Sequence, residues 1–273
     1  MLDMKTYTVA IAGLGAIGLP VVQALYKGID GLTLSAISVR DHDKAQKQLS
    51  ALKASVPIVD LGELAQRADI VVEAIPAASF SLVAQPAIEA GRIFMPLSVG
   101  ALLSRMDLID KARETGAKII VPTGALVGLD AVRAASEGNI STVRLVTRKP
   151  PGGLKGAPHI ISHGIDVDAI STLPMLVFKG NAVEAAKGFP ANINVGAALS
   201  LAGIGPERTE IEIWADPTVT RNTHRIFVEG DSASFQMLME GVPSESNPAT
   251  GKLTALSVVA TLRGLVSPLK VGT

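Results

Sequence analysis

The stretch YTVAIAGLGAIG, residues 7–18, followed by the apolar segment Leu19–Leu25, decides the fold of the first part of this chain. A run of apolar and β-branched residues, a GxGxxG turn and an apolar helical pattern predict a strand, a tight turn and a helix. Gly13 would permit the turn, Gly15 would let a pyrophosphate approach the backbone, and Gly18 would allow close helix–strand packing. Glycines also serve ordinary turns, but this context indicates dinucleotide binding.

The end of the second predicted strand, Leu34–Val39, normally decides between NAD and NADP. A carboxylate there holds the ribose 2′-hydroxyl, whereas an arginine accommodates a 2′-phosphate. This chain offers both, as Arg40 and Asp41, and a register error of one residue exchanges the side chain that points at the ribose. Both NAD and NADP therefore remain open. The candidate cofactor-binding residues of this part are Gly13, Gly15, Ala16, Ile17, Gly18, Arg40 and Asp41.

Strands and helices alternate through residues 1–121. Continuous apolar runs of the kind expected for strands covered on both faces lie at Ala68–Ile75, Ile93–Val99 and Lys118–Val121. We therefore predict an α/β fold whose residues 1–121 form a dinucleotide-binding Rossmann domain with a doubly wound parallel sheet. The segment Ser98–Gly100 lies where such a sheet presents ligands, although serine and glycine are common in any loop.

The pattern changes after Val121, and residues 122–245 are predicted to form an α+β substrate and catalytic domain. The segment Pro122–Gly124 opens a predicted helical stretch, and two prolines with two glycines predict a surface loop at Lys149–Gly153. The predicted strands of this domain have looser alternation and lie at Thr142–Thr147, Ile211–Ala215, His224–Glu229 and Ser234–Glu240.

Residues 246–273 are predicted to form a C-terminal helix that packs back onto the Rossmann domain. Asn247 is a plausible cap, with Pro248 at the first helical position. The apolar residues that mark one face of this helix are Leu253, Leu256, Val259 and Leu262.

The composition excludes several classes of function. The 25 basic and 25 acidic residues cancel and only 3% of residues are aromatic, so we expect no nucleic-acid partner. The chain has no cysteine, which excludes disulfides and thiolate sites. No apolar segment reaches about 18 residues, so we expect no membrane span and a cytoplasmic enzyme. The 48% apolar content against 18% charged residues predicts a homodimer or higher homo-oligomer.

Four histidines are candidates for proton transfer. His42 follows the second predicted strand on the adenosine side and is interpreted as a solvated loop residue. His159 and His163 have the helical spacing of metal ligands, but a proline and a glycine flank them and no HExxH glutamate is present, so no metal site is predicted. His224 enters a strand from a turn-rich segment. Its position alone favours a surface histidine over a catalyst.

Segments covering nearly all of the chain after Gly124 resemble the L-aspartate dehydrogenase family in sequence and order. The PANIN and RN-x-H segments are specific, whereas many unrelated proteins share the GxGxxG turn. In chain order the segments are Pro122–Ala125 with Gly128–Asp130, Thr147–Pro151, Phe189–Val195, Leu199–Gly205, Ala215–Pro217 and Arg221–His224.

The resemblance implies roles for four residues. His224 corresponds to the active-site histidine of the family, and Ala125 and Asn194 correspond to positions that contact the cofactor beside the nicotinamide. Asn192, adjacent in the pattern, is an alternative to Asn194. Both asparagines also suit helix entry after a proline, and a cap and a cofactor ligand are compatible.

The resemblance further implies oxidation of L-aspartate to iminosuccinate by hydride transfer from Cα to NAD or NADP. Water would then release oxaloacetate and ammonia, or the imine would feed NAD biosynthesis. A His224 side chain with an unperturbed pKa would suit the proton transfer. Arg148 and Lys149 are candidates to pair with substrate carboxylates, and solvated loop charges are an equal alternative. Other hypotheses are a homoserine or dihydrodipicolinate type of dehydrogenase or reductase, and a non-catalytic NAD(P)-sensing protein.

Overall fold

A computed structural model describes residues 6–247 and 250–272, which contain two five-stranded sheets. The first sheet has the order β2-β1-β3-β4-β5, and all its neighbouring strands are parallel. The chain thus winds outward from β1 in both directions, which confirms the predicted Rossmann sheet. Its strands are β1 (Tyr7–Ala12), β2 (Leu32–Ser38), β3 (Ile70–Glu73), β4 (Ile93–Pro96) and β5 (Lys118–Ile119).

Helices cover both faces of this sheet because successive side chains of a strand point to opposite sides. In β1, Val9 and Ile11 belong to one core, while Ala10 and Ala12 belong to the other. The helices of this part are α1 (Gly18–Tyr26), α2 (His42–Ala51), α3 (Leu64–Arg67), α4 (Ser81–Glu89), α5 (Val99–Leu102) and α6 (Asp107–Thr115).

The second sheet has the order β10-β9-β6-β8-β7. Strands β6 and β8 are parallel and the other pairs are antiparallel, so the predicted α+β character is confirmed. Its strands are β6 (Ile140–Lys149), β7 (Met175–Asn181), β8 (Glu210–Ala215), β9 (Thr223–Gly230) and β10 (Ser234–Glu240). The helices of this part are α7 (Leu129–Ala135), α8 (Pro158–Ser162), α9 (Ala182–Gly188) and α10 (Asn194–Ala202).

One face of the second sheet is buried under these helices. Alternate residues of β6 point to that face, and they are Val143, Leu145, Thr147 and Lys149. Helix α10 lies close to the sheet at Gly196, where a Cβ would stand 2.9 Å from Ile211 Cδ1. Polar side chains at the end of β6 are therefore carried into the interior by the same alternation that builds the core.

Three predictions about local structure are wrong. Val99, predicted to end a strand, lies in α5 because β4 stops pairing with β3 before it. The helix predicted from Pro122–Gly124 begins only at Leu129. The backbone first passes through Gly124 and Gly128, whose φ angles of 65° and 72° are left-handed and interrupt a helix.

The third error concerns the start of the predicted surface loop at Lys149–Gly153, whereas Gly152 and Gly153 are exposed as predicted. Lys149 ends β6 and is only 7% exposed, and a short 3-10 turn, Pro151–Leu154, follows it. Leu154 is fully buried in the core of the second sheet. The prolines and glycines do break regular structure, but the residues on either side of them are anchored in the interior.

The C-terminal helix α11 (Lys252–Val266) contacts α1, and its Val258 and Leu262 join a core of the first sheet. The predicted apolar face is partly wrong because Leu256 is 61% exposed, while Ala255 and Val258 are buried. Apolar residues lie on several sides of this helix, so its sequence did not fix the side that meets α1. Pro248, the predicted first helical residue, lies outside the described residues.

The two sheets occupy separate parts of the sequence. Strands of the first sheet lie between Tyr7 and Ile119, and strands of the second lie between Ile140 and Glu240. The predicted boundaries after residues 121 and 245 fall outside both ranges and stay a prediction.

Candidate active site

The glycines between β1 and α1 meet three different steric demands. A Cβ at Gly13 would overlap the carbonyl oxygen of Ala74, and Gly13 has a left-handed φ of 96°. A Cβ at Gly18 would overlap the carbonyl oxygen of Gly13. A Cβ at Gly15, by contrast, would have no atom within 4 Å. The turn therefore leaves open space above Gly15, where the backbone and the N-terminus of α1 suit a pyrophosphate.

The remaining candidates of the first domain lie near this turn and at the end of β2. Ala16 and Ile17 are half-buried directly before α1. Asp41 caps α2, because its Oδ1 accepts the backbone N–H of Lys44 at 2.9 Å. Arg40 is exposed beside it. The Asp41 carboxylate is thus engaged in capping α2, whereas the Arg40 guanidinium remains accessible to a ligand.

His224 lies in the buried face of the second sheet. It is paired in register with Thr147 of β6, and 3.0 Å separate its Nδ1 from Thr147 Oγ1. Only 4% of the residue is exposed, so the position-based interpretation as a surface histidine is wrong. Burial and the nearby Lys149 ammonium lower the pKa of His224 to about 3, far from the unperturbed value expected from the sequence. The imidazole is consequently neutral at pH 7.

Lys149 is the second ionisable group of this cluster. It lies two residues after Thr147 on the same face, and its Nζ donates to Asn192 Oδ1 at 2.6 Å. Burial lowers the pKa of Lys149 to about 8. Asn192 lies just before α10, and its hydrogen bond to Lys149 brings the PANIN segment into contact with the end of β6. We refer to Thr147, Lys149, Asn192 and His224 as the polar cluster.

A hydrogen bond joins the second domain to the carboxyl edge of the first sheet. Asn194, the first residue of α10, accepts the backbone N–H of Gly100 on its Oδ1 at 2.9 Å. Gly100 belongs to α5, directly after β4. A Cβ at Gly100 would come within 2.5 Å of Ile193 Cγ2, so the two elements approach as closely as glycine allows. The polar cluster thus stands beside the sheet edge that holds ligands in doubly wound folds.

Glu73, which the sequence analysis did not single out, organises that edge. Its fully buried carboxylate accepts backbone N–H groups of Ile75, Leu97 and Ser98 at 3.1, 3.2 and 2.9 Å, and the Ser98 hydroxyl at 3.0 Å. Burial raises the pKa of Glu73 against the lowering effect of these bonds. The available signal for this role was an acidic residue near the end of the apolar run Ala68–Ile75, after the buried residues Ile70–Val72.

Two family models match the chain. "Aspartate dehydrogenase, C-terminal" matches residues 130–265, and "Homoserine dehydrogenase, NAD binding domain" matches residues 13–122. The L-aspartate dehydrogenase of Bradyrhizobium diazoefficiens is 55% identical over 265 residues, covering 97% of this chain and 94% of that protein. L-aspartate dehydrogenase 3 of Bordetella bronchiseptica is 50% identical, with 97% of each chain covered. The chain belongs to the L-aspartate dehydrogenase family.

Solved structures agree with this assignment to the L-aspartate dehydrogenase family. Aspartate dehydrogenase from Thermotoga maritima superposes with a TM-score of 0.72 at 25% identity, covering 97% of this chain and 99% of that one. A homoserine dehydrogenase from Thiobacillus denitrificans, 16% identical with a TM-score of 0.62 and coverages of 96% and 74%, shares the fold alone. The predicted family and the predicted NAD(P)-dependent oxidoreductase class are confirmed.

Two further candidates are Ala125, which the family resemblance singled out, and Arg148, a candidate to pair with a substrate carboxylate. Ala125 is half-buried in the turn before α7, next to Gly124, whose N–H donates to Ser257 Oγ of α11 at 3.1 Å. Arg148 points to the opposite face of β6 from Lys149. There it donates to Asp216 at 2.9 Å. The structure therefore separates the two basic candidates and brings only Lys149 to His224.

The other histidines stand elsewhere. His42 is exposed at the start of α2. His159 and His163 stack with ring centroids 3.9 Å apart, and His159 also packs on Phe178 and Phe189. Across residues 6–247 and 250–272 no three His, Asp or Glu residues form a group that could hold a metal ion. Within the same ranges no helix is long and apolar enough to cross a membrane.

Proposed function

We propose that this chain oxidises L-aspartate with NAD or NADP, giving iminosuccinate, which water converts to oxaloacetate and ammonia. The buried pairing of His224 with Thr147, beside the ligand-binding edge of the Rossmann sheet, carries this proposal. A dehydrogenase of this type must hold the substrate Cα at the cofactor, accept one amine proton and exclude water from the imine. The polar cluster supplies a neutral base in a buried setting, which suits the last two demands.

The first domain is proposed to hold the cofactor through the glycine turn and the end of β2. The open space above Gly15 supports this role, and Arg40 and Asp41 are proposed to face the ribose. Asn192, Asn194 and Ala125 are proposed to lie beside the nicotinamide. When bound, the nicotinamide supplies the acceptor for the two electrons and the proton that leave Cα as hydride.

His224 is proposed to accept the amine proton. Hydride loss from Cα and formation of the C=N bond require the nitrogen lone pair, so the ammonium form of the substrate must lose a proton before the hydride leaves. A neutral imidazole whose Nδ1–H donates to Thr147 Oγ1 keeps the Nε2 lone pair free for that proton. Thr147 is then a positioning residue, which orients the ring of His224.

The test is the rate of cofactor reduction with purified enzyme. L-aspartate, D-aspartate, L-glutamate and L-homoserine are each compared with NAD and with NADP. The proposal expects L-aspartate to give the highest kcat/KM. A higher kcat/KM for homoserine than for L-aspartate would contradict it, and a homoserine type of dehydrogenase would take its place.

We also propose that the chain forms a homodimer or higher homo-oligomer through the outer face of the second sheet. That face holds a groove of about 370 Å³ with arginines, a glutamate and large apolar side chains in its walls. Leu238 is 51% exposed there, and Arg144 stacks over Phe227 at 4.3 Å. Charges of both signs around apolar side chains allow two copies of one face to complement each other. Light scattering of the wild type and of Leu238→Asp tests this, with a monomeric variant expected.

A cytoplasmic location is proposed because a dehydrogenase of this type depends on the NAD(P) pool of the cell interior. Cell fractionation with an activity assay tests it, and activity confined to the membrane or the exterior would contradict it. The link to NAD biosynthesis stays a prediction.

A further inference from the structure

The ammonium of Lys149 is buried with a neutral partner. The residue is 7% exposed, and the hydrogen bond that its Nζ makes in the described part of the chain goes to the amide oxygen of Asn192. A buried ammonium normally has a carboxylate partner because its desolvation is costly. An amide oxygen offsets only part of that cost.

The charged and titratable groups around Lys149 offer no such carboxylate. From β9 it faces the neutral His224, and on β6 Thr147 precedes it by two residues on the same face. Asp216, after β8, donates its backbone N–H to the Lys149 carbonyl, but its carboxylate is held by Arg148 and Thr218. Among the described residues no ion pair includes Lys149.

We infer that Lys149 binds a carboxylate of the substrate, beside the histidine that accepts its amine proton. The inference rests on the proposed function and deepens it, because it names the residue that holds an acid group of the substrate. A substrate carboxylate supplies the missing counter-charge. Asn192 holds the ammonium in place before the substrate arrives, so that the cation is ready for a charge-assisted hydrogen bond.

Carboxylate binding at Lys149 also changes the pKa of His224. The ammonium is one of the two causes that lower the pKa of this imidazole, the larger being burial. A bound carboxylate offsets the positive charge and therefore raises the pKa of His224, which makes it a stronger base when substrate is present. The site thus couples recognition of the acid group to removal of the amine proton.

The test measures binding of succinate, a dicarboxylate without an amine, to the enzyme saturated with NAD⁺. Calorimetry at pH 7 compares wild type with Lys149→Met, Lys149→Gln and Lys149→Arg. Loss of the cation is expected to weaken succinate binding about 10- to 100-fold in the Met and Gln variants. Lys155→Met is the matched control, because Lys155 is an exposed lysine paired with Asp168, and its succinate affinity is expected to equal that of the wild type.

The pH dependence of the same affinity separates a charge effect from a shape effect. Wild-type affinity is expected to fall up to about tenfold per pH unit above pH 8, as the Lys149 ammonium loses its proton. Succinate does not titrate in that range, and His224 is already neutral there. Lys149→Arg keeps its charge and is expected to show no such fall.

Equal succinate affinity in the wild type and in folded Lys149→Met and Lys149→Gln would overturn the inference. So would a wild-type enzyme that does not bind succinate at all. Lys149-dependent succinate binding in an enzyme that does not oxidise L-aspartate would support the carboxylate site and refute the proposed function, so the two failures are distinguishable.

Discussion

Thr147 Oγ1 and His224 Nδ1 lie 3.0 Å apart across the β6–β9 pair, on the face of the second sheet that helices bury. The strand register sets this distance, because the two residues stand directly opposite each other. The bond holds the imidazole ring in place, and the threonine hydroxyl can serve it as donor or as acceptor. Two paired strands of the sheet therefore hold the base.

Thr147→Val is predicted to lower kcat for L-aspartate about 10- to 100-fold and to change the KM of the cofactor little. The methyl group keeps the shape of the side chain but removes the hydroxyl that orients His224. Steady-state kinetics measure the effect.

Thr147→Ser should restore most of kcat, because it restores the hydroxyl. Thr142→Val, at an exposed position of the same strand, is the matched control and should behave as wild type. An unchanged kcat in Thr147→Val would remove Thr147 from the positioning of the base.

Lys149→Met is predicted to stabilise the ligand-free enzyme at pH 7. Burial lowers the pKa of Lys149 from 10.5 to about 8, so its charged form costs about 3 kcal/mol in the folded state. Methionine removes this cost and leaves one amide oxygen of Asn192 without its donor, so the expected net gain is about 1–2 kcal/mol. Urea unfolding measures it, with Lys155→Met as a control that should leave the free energy of unfolding unchanged.

The same stabilisation should depend on pH in a defined direction. The folded pKa of Lys149 lies below the unfolded one, so the cost is complete below pH 8 and is relieved as the pH rises towards 10.5. The difference between Lys149→Met and wild type should therefore shrink across that range. A variant that is less stable than wild type at pH 7 would mean that Lys149 serves the fold rather than a ligand.

Gly15→Val is predicted to abolish cofactor binding while the protein remains folded. A Cβ at Gly15 meets no protein atom within 4 Å, so the new side chain costs the fold little, but it fills the space proposed for the pyrophosphate. Fluorescence titration with NADH and NADPH measures the loss. Gly62→Val, where a Cβ also meets nothing within 4 Å, is the control, and undiminished affinity in Gly15→Val would contradict the role of the turn.

Arg40→Ala is predicted to lower kcat/KM for NADP more than for NAD. Its exposed guanidinium is accessible to a 2′-phosphate, while Asp41 caps α2. The readout is the ratio of the two kcat/KM values, with Arg133→Ala on α7 as a distant control. An unchanged ratio would mean that Arg40 points away from the ribose.

Much of the Rossmann domain was predictable because its strands are buried on both faces and read as continuous apolar runs. The strand β7 was missed because it follows a proline and its buried and exposed residues do not alternate. Its pairing with β8 also shifts register between Leu176 and Phe178.

The chemistry of the site was predictable only in part. The family resemblance selected His224, but its burial depends on the register of β9 against β6, which local sequence does not specify. Lys149 was placed in a surface loop because the prolines after it dominate the local pattern. The contact of Gly100 with Asn194 joins residues 94 positions apart and leaves no periodic signal in the sequence.

The role of His224 as the base is tested most directly by the rate at which His224→Ala oxidises L-aspartate with saturating cofactor. We predict a kcat that is lower by about two to four orders of magnitude, with cofactor affinity largely retained, because the residue accepts the amine proton and does not hold the dinucleotide. The free-enzyme pKa of about 3 further predicts that kcat/KM of the wild type shows no acidic limb of His224 near pH 6.5. A folded His224→Ala enzyme with near wild-type kcat would contradict the central claim that the buried histidine of the second sheet is the base.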